Sequence, residues 1–328
     1  MRRPSIDPVV WRPAKVEGAR PTRATLPALS LIQVSGLGPE DVLCDKGHLF
    51  TGVEDGRILR LTPDGRRLDT IADTGGRPLG IELHTDGRLL VCDAVRGLLA
   101  VERASGEIEV LVERGPNLRV CNNAAVTMDG TVYFTDSTSR FDLEHWKADL
   151  LEHGGTGRLL RRDPDGTVET VLEGLHFANG VALAPDESSV VVAQTGAYRL
   201  DKVHLTGERQ GESEPLAEGL PAFPDNIATG SDGLVWIAMA SPRIAALDIL
   251  SRLHPVLRKG VWALPEALQV KEKRVVWVRA LDIETGRVVH DLYGEHPDFH
   301  MVTGVREANG TVYLGSLAER AIARFDLA

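Results

Sequence analysis

Asn179, in the stretch FANGVALAPD, stands seven residues before Asp186, and the same spacing separates Asn122 from Asp129 in CNNAAVTMD and Asp225 from Asp232 in DNIATGSD. Each is a polar residue followed by a short apolar run and a turn. Recurrence at fixed spacing marks equivalent positions in repeated units, which an arrangement of the units around an axis would bring together. Aligning the other segments on their turns adds Glu40, five residues before Asp45. The two remaining copies place Leu79 seven residues before Asp86 and Thr303 six before Asn309. Two carboxylates and two amides meeting in one place conflict, because like charges raise one another's energy and buried amides lose water. A bound cation resolves the conflict. Oxygen-only ligation selects a hard ion, and a wide cage that includes amide carbonyls suits Ca²⁺ better than Mg²⁺, whereas Zn²⁺ would call for His or Cys. Against this stands the ordinary role of an Asn or Asp ahead of a strand, capping its own turn. That role accounts for any one position; four at one register favour Glu40, Asn122, Asn179 and Asp225 as a Ca²⁺ site.

The elements that must position these residues are strands. Six runs, HLFTGV, RLLVCDAV, TVYFTDS, SVVVAQT, LVWIAMA and TVYLGSL, each follow a turn, at Asp45, Asp86, Asp129, Asp186, Asp232 and Asn309. The intervals between turns are 41, 43, 57, 46 and 77 residues. Such a period, with two insertions, is that of propeller blades, so the spacing predicts an all-β, six-bladed β-propeller with short helical insertions. Residues 1–30, with Pro4, Pro8, Pro13, Pro21 and Pro27, read as an extended arm tied down near Leu26 and Leu31, and 31–328 as a single propeller domain. In the first insertion, Leu143, Trp146, Leu150 and Leu151 lie at helical spacing, with Asp142 as N-cap and Gly154-Gly155 as the stop. This helix is placed to lie over one face of the disc and wall a pocket. The second insertion, 248–270, is broken by Pro255, Gly260 and Pro265 and reads as helical in pieces.

A net charge of −10 with no Lys/Arg run excludes a nucleic-acid surface as the expectation and makes a cationic ligand easier to accommodate. No apolar run approaches the length of a membrane helix, and Pro and Asp interrupt the N-terminus where a signal peptide would be apolar. The expectation is therefore a cytoplasmic protein with no membrane partner, acting on a small molecule. Cys44, Cys92 and Cys121 have no CxxC spacing, lie in strand-like runs, and read as small buried core residues.

The segments GPED (38–41), VCNN (120–123), YFTDS (133–137), GRLLRRDP (157–164), FANGVALAPD (177–186), LPAFPDNI (220–227) and NGTVYLGS (309–316) resemble, in order, the strictosidine synthase-like branch of the calcium-dependent propellers. That superfamily also holds the paraoxonases and the gluconolactonases. The resemblance implies a catalytic Ca²⁺ at one end of the central channel. It places the family's ligands on Glu40, Asn122, Asn179 and Asp225, with Asn226 as a weaker candidate. Three departures stand out: Asn123 where the family has Asp, Gln194 where Glu is common, and Thr303 where the alkaloid-forming members carry Glu.

The function expected is a Ca²⁺-dependent hydrolase of lactones or other esters, with Asp225 as base or nucleophile and Glu40 second. Of the histidines near strand ends or on the first insertion (His145, His153, His176 and His300), His300 is the preferred base. No GxSxG elbow or P-loop is present. A non-catalytic ligand- or partner-binding propeller, and a carbon-bond-forming or isomerising enzyme, remain as alternatives.

Overall fold

Two of the six turns close hairpins of the tightest kind, and the other four loops hold five residues. Between Leu43–Asp45 and His48–Gly52 only Lys46 and Gly47 intervene, both with positive φ (45° and 76°), the pair of dihedrals that matches strand twist. Repetition of antiparallel hairpins gives six four-stranded sheets in a computed structural model that describes residues 3–17, 25–265 and 272–327. Five sheets follow chain order: 43–73, 78–113, 121–175, 178–217 and 222–294. The sixth comprises three strands from 302–326 and, as its outermost member, Ser30–Gln33, which pairs with Ala321–Asp326 and joins the two ends of the chain. We number these blades one to six. The six turn-following runs are the second strand of each blade, and the segments holding the candidate ligands are the innermost.

A propeller has no single core. Each pair of adjoining blades shares its own apolar cluster, six in all. Trp277 fills the one between blades four and five, and Trp236 and Phe299 the one between five and six, all fully buried. Leu26, Leu29 and Leu31 pack against this last cluster and hold the chain leading into blade six.

Both insertions leave their blade between the second and third strands. In blade three a 3₁₀ turn, Leu143–His145, leads into α1 (Trp146–Glu152). In blade five α2 (Ala245–Leu250) and α3 (Val256–Ala263) form the helical pieces expected there, and 266–270 lie outside the described residues. The second strand ends on the face where the innermost strand begins, so all three helices cap that face. The signals at the ends of the first insertion differ from expectation. Asp142 makes no capping hydrogen bond, because its carboxylate is held by Arg119 at 3.1 Å and by Arg114. The stop falls on His153, in the left-handed region (φ 57°), one residue ahead of Gly154.

The proline-rich stretch is extended as its composition requires, though Pro21 lies outside the described residues. It is fixed across the cap: Val9 N donates to Glu152 O (2.8 Å), Trp11 N to Ser251 O (3.1 Å) and Trp262 Nε1 to Pro4 O (2.8 Å). Ile6 completes a small buried cluster with Phe141, Ala148, Leu151 and Trp262.

Candidate metal centre

In blades two to six the innermost strand carries an extra residue close to its start. Its pairing with the second strand skips from Pro78 to Ile81, Cys121 to Ala124, Ala178 to Val181, Pro224 to Ile227 and Val302 to Val305, three residues against two on the partner each time. These are β-bulges, which re-aim a side chain that regular alternation would send into the sheet faces. The bulged positions are Leu79, Asn122, Asn179, Asp225 and Thr303, each with its successor. Glu40, ahead of the innermost strand of blade one, completes the set. Glu40, Asn122, Asn179 and Asp225 are all buried and line one cavity, so the structure brings together the four residues that the spacing singled out.

Their polar atoms are disposed for a cation. Asn122 Nδ2 donates to Ser137 Oγ (2.9 Å) and Asn179 Nδ2 to Thr195 Oγ1 (3.1 Å). The Thr195 hydroxyl spends its proton on Pro224 O (2.7 Å), so toward Asn179 it can only accept, which fixes the amide nitrogen rather than the oxygen on the Thr195 side. Asn122 Oδ1 and Asn179 Oδ1 are left buried without a partner. Two orphaned carbonyl oxygens in one buried place are costly unless something positive meets them.

The residues one step further along form a second layer of another kind: Asp41, Gly80, Asn123, Gly180, Asn226 and Gly304, polar and glycine by turns. Each glycine meets the backbone of the next polar residue around the axis. A Cβ on Gly80 would lie 2.7 Å from Asn122 O, and one on Gly180 would lie 2.1 Å from Ile227 N. Asp41 Oδ2 accepts from Ile81 N and Asn123 Nδ2, both at 3.2 Å, and Asn123 Oδ1 accepts from Val181 N at 3.0 Å. Asn226 Nδ2 donates to Glu40 Oε2 (3.0 Å), fixing that carboxylate, and Asn226 Oδ1 is a third orphan. This layer closes the channel beneath the four oxygens.

Charge makes the same demand. Burial, then the neighbouring Asp225 and Asp41, hold Glu40 well above the usual carboxylate range. Burial raises Asp225 to about 7 and Asp41 to about 6. Asp41 has a counter-ion in Arg306, a half-buried side chain kept charged, against the cost of desolvation, by Glu82 and Asp41. Glu40 is offset in part by Arg77, which is partly buried and donates to Gly38 O at 3.2 Å, while the hydrogen bonds that lower Asp225 come from Asn179 and the Asn226 backbone. Among the described residues no three His, Cys, Asp or Glu side chains converge as a metal-ligand set. The donors here are two carboxylates and two amides, a hard-oxygen set that fits Ca²⁺.

Above the ring lies a cavity of about 680 Å³. Its floor is the polar ring, and its walls are largely apolar: Leu143, Trp146 and Leu150 from the first insertion, Leu247 from α2, Val261 from α3 and Trp11 from the arm. Tyr198, Phe223 and Met301 complete it from the blades. The helix expected to wall a pocket therefore does so. Trp11, Arg77 and Asp41 were not anticipated; only the alternation of polar residue and glycine after each ring position signals Asp41 in the sequence.

The remaining candidates lie elsewhere. His300 does not line the cavity; its ring is held between Glu319, at Nδ1, and Arg274 Nη1, 3.2 Å from Nε2. His153 is stacked between Trp11 and His176, at 3.7 Å from each; burial drives His153 down to about 2 and lowers His176, and neither lines the cavity. His145 contacts Glu144 (3.4 Å) outside the cavity lining. Thr303 donates its hydroxyl to Glu40 O (2.9 Å). Gln194 accepts from His176 N and donates to Asp201, where Glu would meet a second carboxylate. Cys92 and Cys121 are buried, and Cys44 is half-buried.

Family models for strictosidine synthase and for the N-terminal part of strictosidine synthase-like proteins match residues 122–208 and 24–61. The adipocyte plasma membrane-associated protein of Salmo salar is 35% identical over 321 residues, covering 89% of this chain and 76% of that protein. A strictosidine synthase-like protein of Arabidopsis thaliana is 34% identical over 299 residues, covering 88% and 79%. Among solved structures the fold matches a gluconolactonase of Xanthomonas campestris (TM-score 0.67, 17% identity, 99% and 98% covered). It also matches a calcium-binding regucalcin of Agrobacterium tumefaciens (TM-score 0.63, 13% identity, 89% and 90% covered). These findings correct the expectation of a cytoplasmic protein: the relatives in Salmo salar, Rattus norvegicus and Homo sapiens carry plasma-membrane association in their names. The expectation rested on hydropathy; no helix among the described residues is long and apolar enough to cross a membrane, and that says nothing about where a protein resides.

Proposed function

The chain belongs to the strictosidine synthase-like family, together with the adipocyte plasma membrane-associated proteins, and from that premise we propose that it is a calcium-dependent hydrolase of lactones or other esters. The observation that carries the reading is the pair of orphaned oxygens, Asn122 Oδ1 and Asn179 Oδ1, beside buried Glu40 and Asp225 on the floor of an apolar-walled cavity. Glu40, Asn122, Asn179 and Asp225 would hold Ca²⁺, with further positions left for water and substrate. Bound there, Ca²⁺ supplies a Lewis acid for the substrate carbonyl and its oxyanion.

The chain's own residues do the rest. Asp225 takes the proton of the attacking water or attacks the carbonyl itself, and Asn226 keeps Glu40 in place through its 3.0 Å hydrogen bond. The apolar walls bind the body of the substrate and exclude bulk water. Condensation of an amine with an aldehyde, as the resemblance to alkaloid-forming members would suggest, is disfavoured because Thr303 gives blade six no carboxylate and is committed to the Glu40 carbonyl.

Turnover of a panel of lactones, aryl esters and phosphotriesters, measured before and after chelation, tests the reading. Lactone or ester turnover should vanish on chelation, return with Ca²⁺, and fall roughly hundredfold or more in Asp225→Ala, the scale of a lost general base. Turnover that survives both chelation and the substitution sinks it.

A further inference from the structure

The outer side of the cap exposes aliphatic side chains to water. In α3 the residues turned inward are Arg258 and Trp262, 2% and 8% exposed, while Val256 and Leu257 stand in solvent at 57% and 45%. Val261 and Trp262 face inward as an amphipathic helix requires, but the buried arginine and the two exposed aliphatic side chains are exchanged relative to a water-facing surface. Arg258 donates inside through Nη1 to Leu151 O (2.9 Å) and through Nη2 to Val9 O. Ile249 and Leu253, from α2 and the turn after it, and Val9 and Val10 of the arm are 42–59% exposed. The hydrogen bonds from Arg258 to Val9 and from Trp11 to Ser251, and the 3.0 Å ion pair of Lys259 with Asp7, lay the arm along these helices, so the six aliphatic side chains belong to one surface. An exposed apolar surface of this kind marks an interaction site.

Charge identifies what it meets. Along residues 3–17 and 243–264, Arg3, Arg12, Lys15, Arg252 and Lys259 are exposed against exposed Asp7 and Glu17, whereas Arg258 and the Asp248-paired Arg243 are turned inward, in a chain whose net charge is −10. Two copies of this face would repel each other. The exposed large apolar residues among the six are all Val, Leu or Ile, without the exposed aromatic anchors that dominate protein interfaces. Aliphatic side chains bordered by exposed Arg12, Lys15 and Arg252 are the pattern of segments that lie in a lipid headgroup layer. We propose that the cap docks onto an anionic lipid surface through Val9, Val10, Ile249, Leu253, Val256 and Leu257. The inward sides of the same segments, at Trp11, Leu247 and Val261, wall the cavity, so docking sets that cavity against the lipid.

Co-sedimentation of the full chain with vesicles tests this without reference to catalysis. Phosphatidylcholine vesicles containing phosphatidylserine should bind it, more weakly as salt rises, and vesicles of phosphatidylcholine alone should bind it much less. The double substitution Leu253→Ser, Leu257→Ser should lower binding by roughly tenfold or more, and Arg252→Glu should lower it and flatten the salt dependence. Val288→Ser with Val289→Ser, on an exposed outer strand of blade five, should leave it unchanged, with melting curves showing that all variants fold. The proposal is overturned by absence of vesicle binding, by equal binding of both vesicle types, or by equal binding of the Leu253 and Leu257 variant. It is also overturned by concentration-dependent self-association that the same variant abolishes, which would assign the face to a second copy.

Discussion

Asn179 presents its oxygen because Thr195 takes its nitrogen, and Thr195 does so because its own proton is bound to Pro224. The ring depends on such assignments. Asn123 shows the same logic one layer down: its amide donates to Asp41 and accepts from Val181, which a carboxylate cannot do. Asn123→Asp should therefore set two buried acids against each other and cost about 1–3 kcal/mol, read from denaturant unfolding. Removal of Ca²⁺ should make stability depend on pH in a set direction. Asp225 is raised from 3.8 to about 7 in the folded chain, so the folded state holds that proton more tightly than the unfolded state. Its contribution is full below about 4 and is lost as pH rises through about 7. Protons and Ca²⁺ compete for the same oxygens, so the rise in Tm on adding Ca²⁺ should be larger near about pH 8 than near about pH 5.5. An equal rise at both pH values would remove Asp225 from the metal's shell.

The bulge, the glycine and the cap are the elements that turn a repeated hairpin into a site. Gly180 lets blade four close on blade five, and a Cβ there would stand 2.1 Å from Ile227 N. Gly180→Ala should destabilise by about 1–3 kcal/mol or more and weaken Ca²⁺ binding with it, since it moves strands that carry Asn179 and Asp225. Trp11 acts through the arm. Trp11→Ala should raise KM roughly tenfold for a bulky apolar ester and little for a small lactone, with dependence on Ca²⁺ intact; equal effects on both substrates would deny the arm a part in the cavity. The strands, the turns and the register of the ring were legible in the sequence because a period and a spacing carry them. The wall made by Trp11 was not, because it depends on a contact between residue 11 and residue 251 that no local pattern encodes. Nor was the placement of His300, whose nearness to Thr303 in sequence carries no information about Glu319, the partner that holds it away from the cavity.

At the scale of the molecule, neighbouring blades share their cores pairwise and all six meet only around the axis, where Asn122, Asn179 and Asn226 leave oxygens unpaired beside the raised carboxyls of Glu40, Asp41 and Asp225. A net charge of −10 adds a long-range attraction for cations, while the cap is locally positive. The fold follows from repetition, and the compartment does not, which is why hydropathy misjudged the location that the relatives' names carry. The central claim is the metal ring, and calorimetric titration of chelator-treated protein with Ca²⁺ tests it most directly. One site per chain is expected, with affinity lower by roughly hundredfold or more in Asp225→Ala and clearly reduced in Asn179→Ala, because each removes an oxygen from the shell. No binding by the wild-type chain, or the same affinity in both variants, would contradict it.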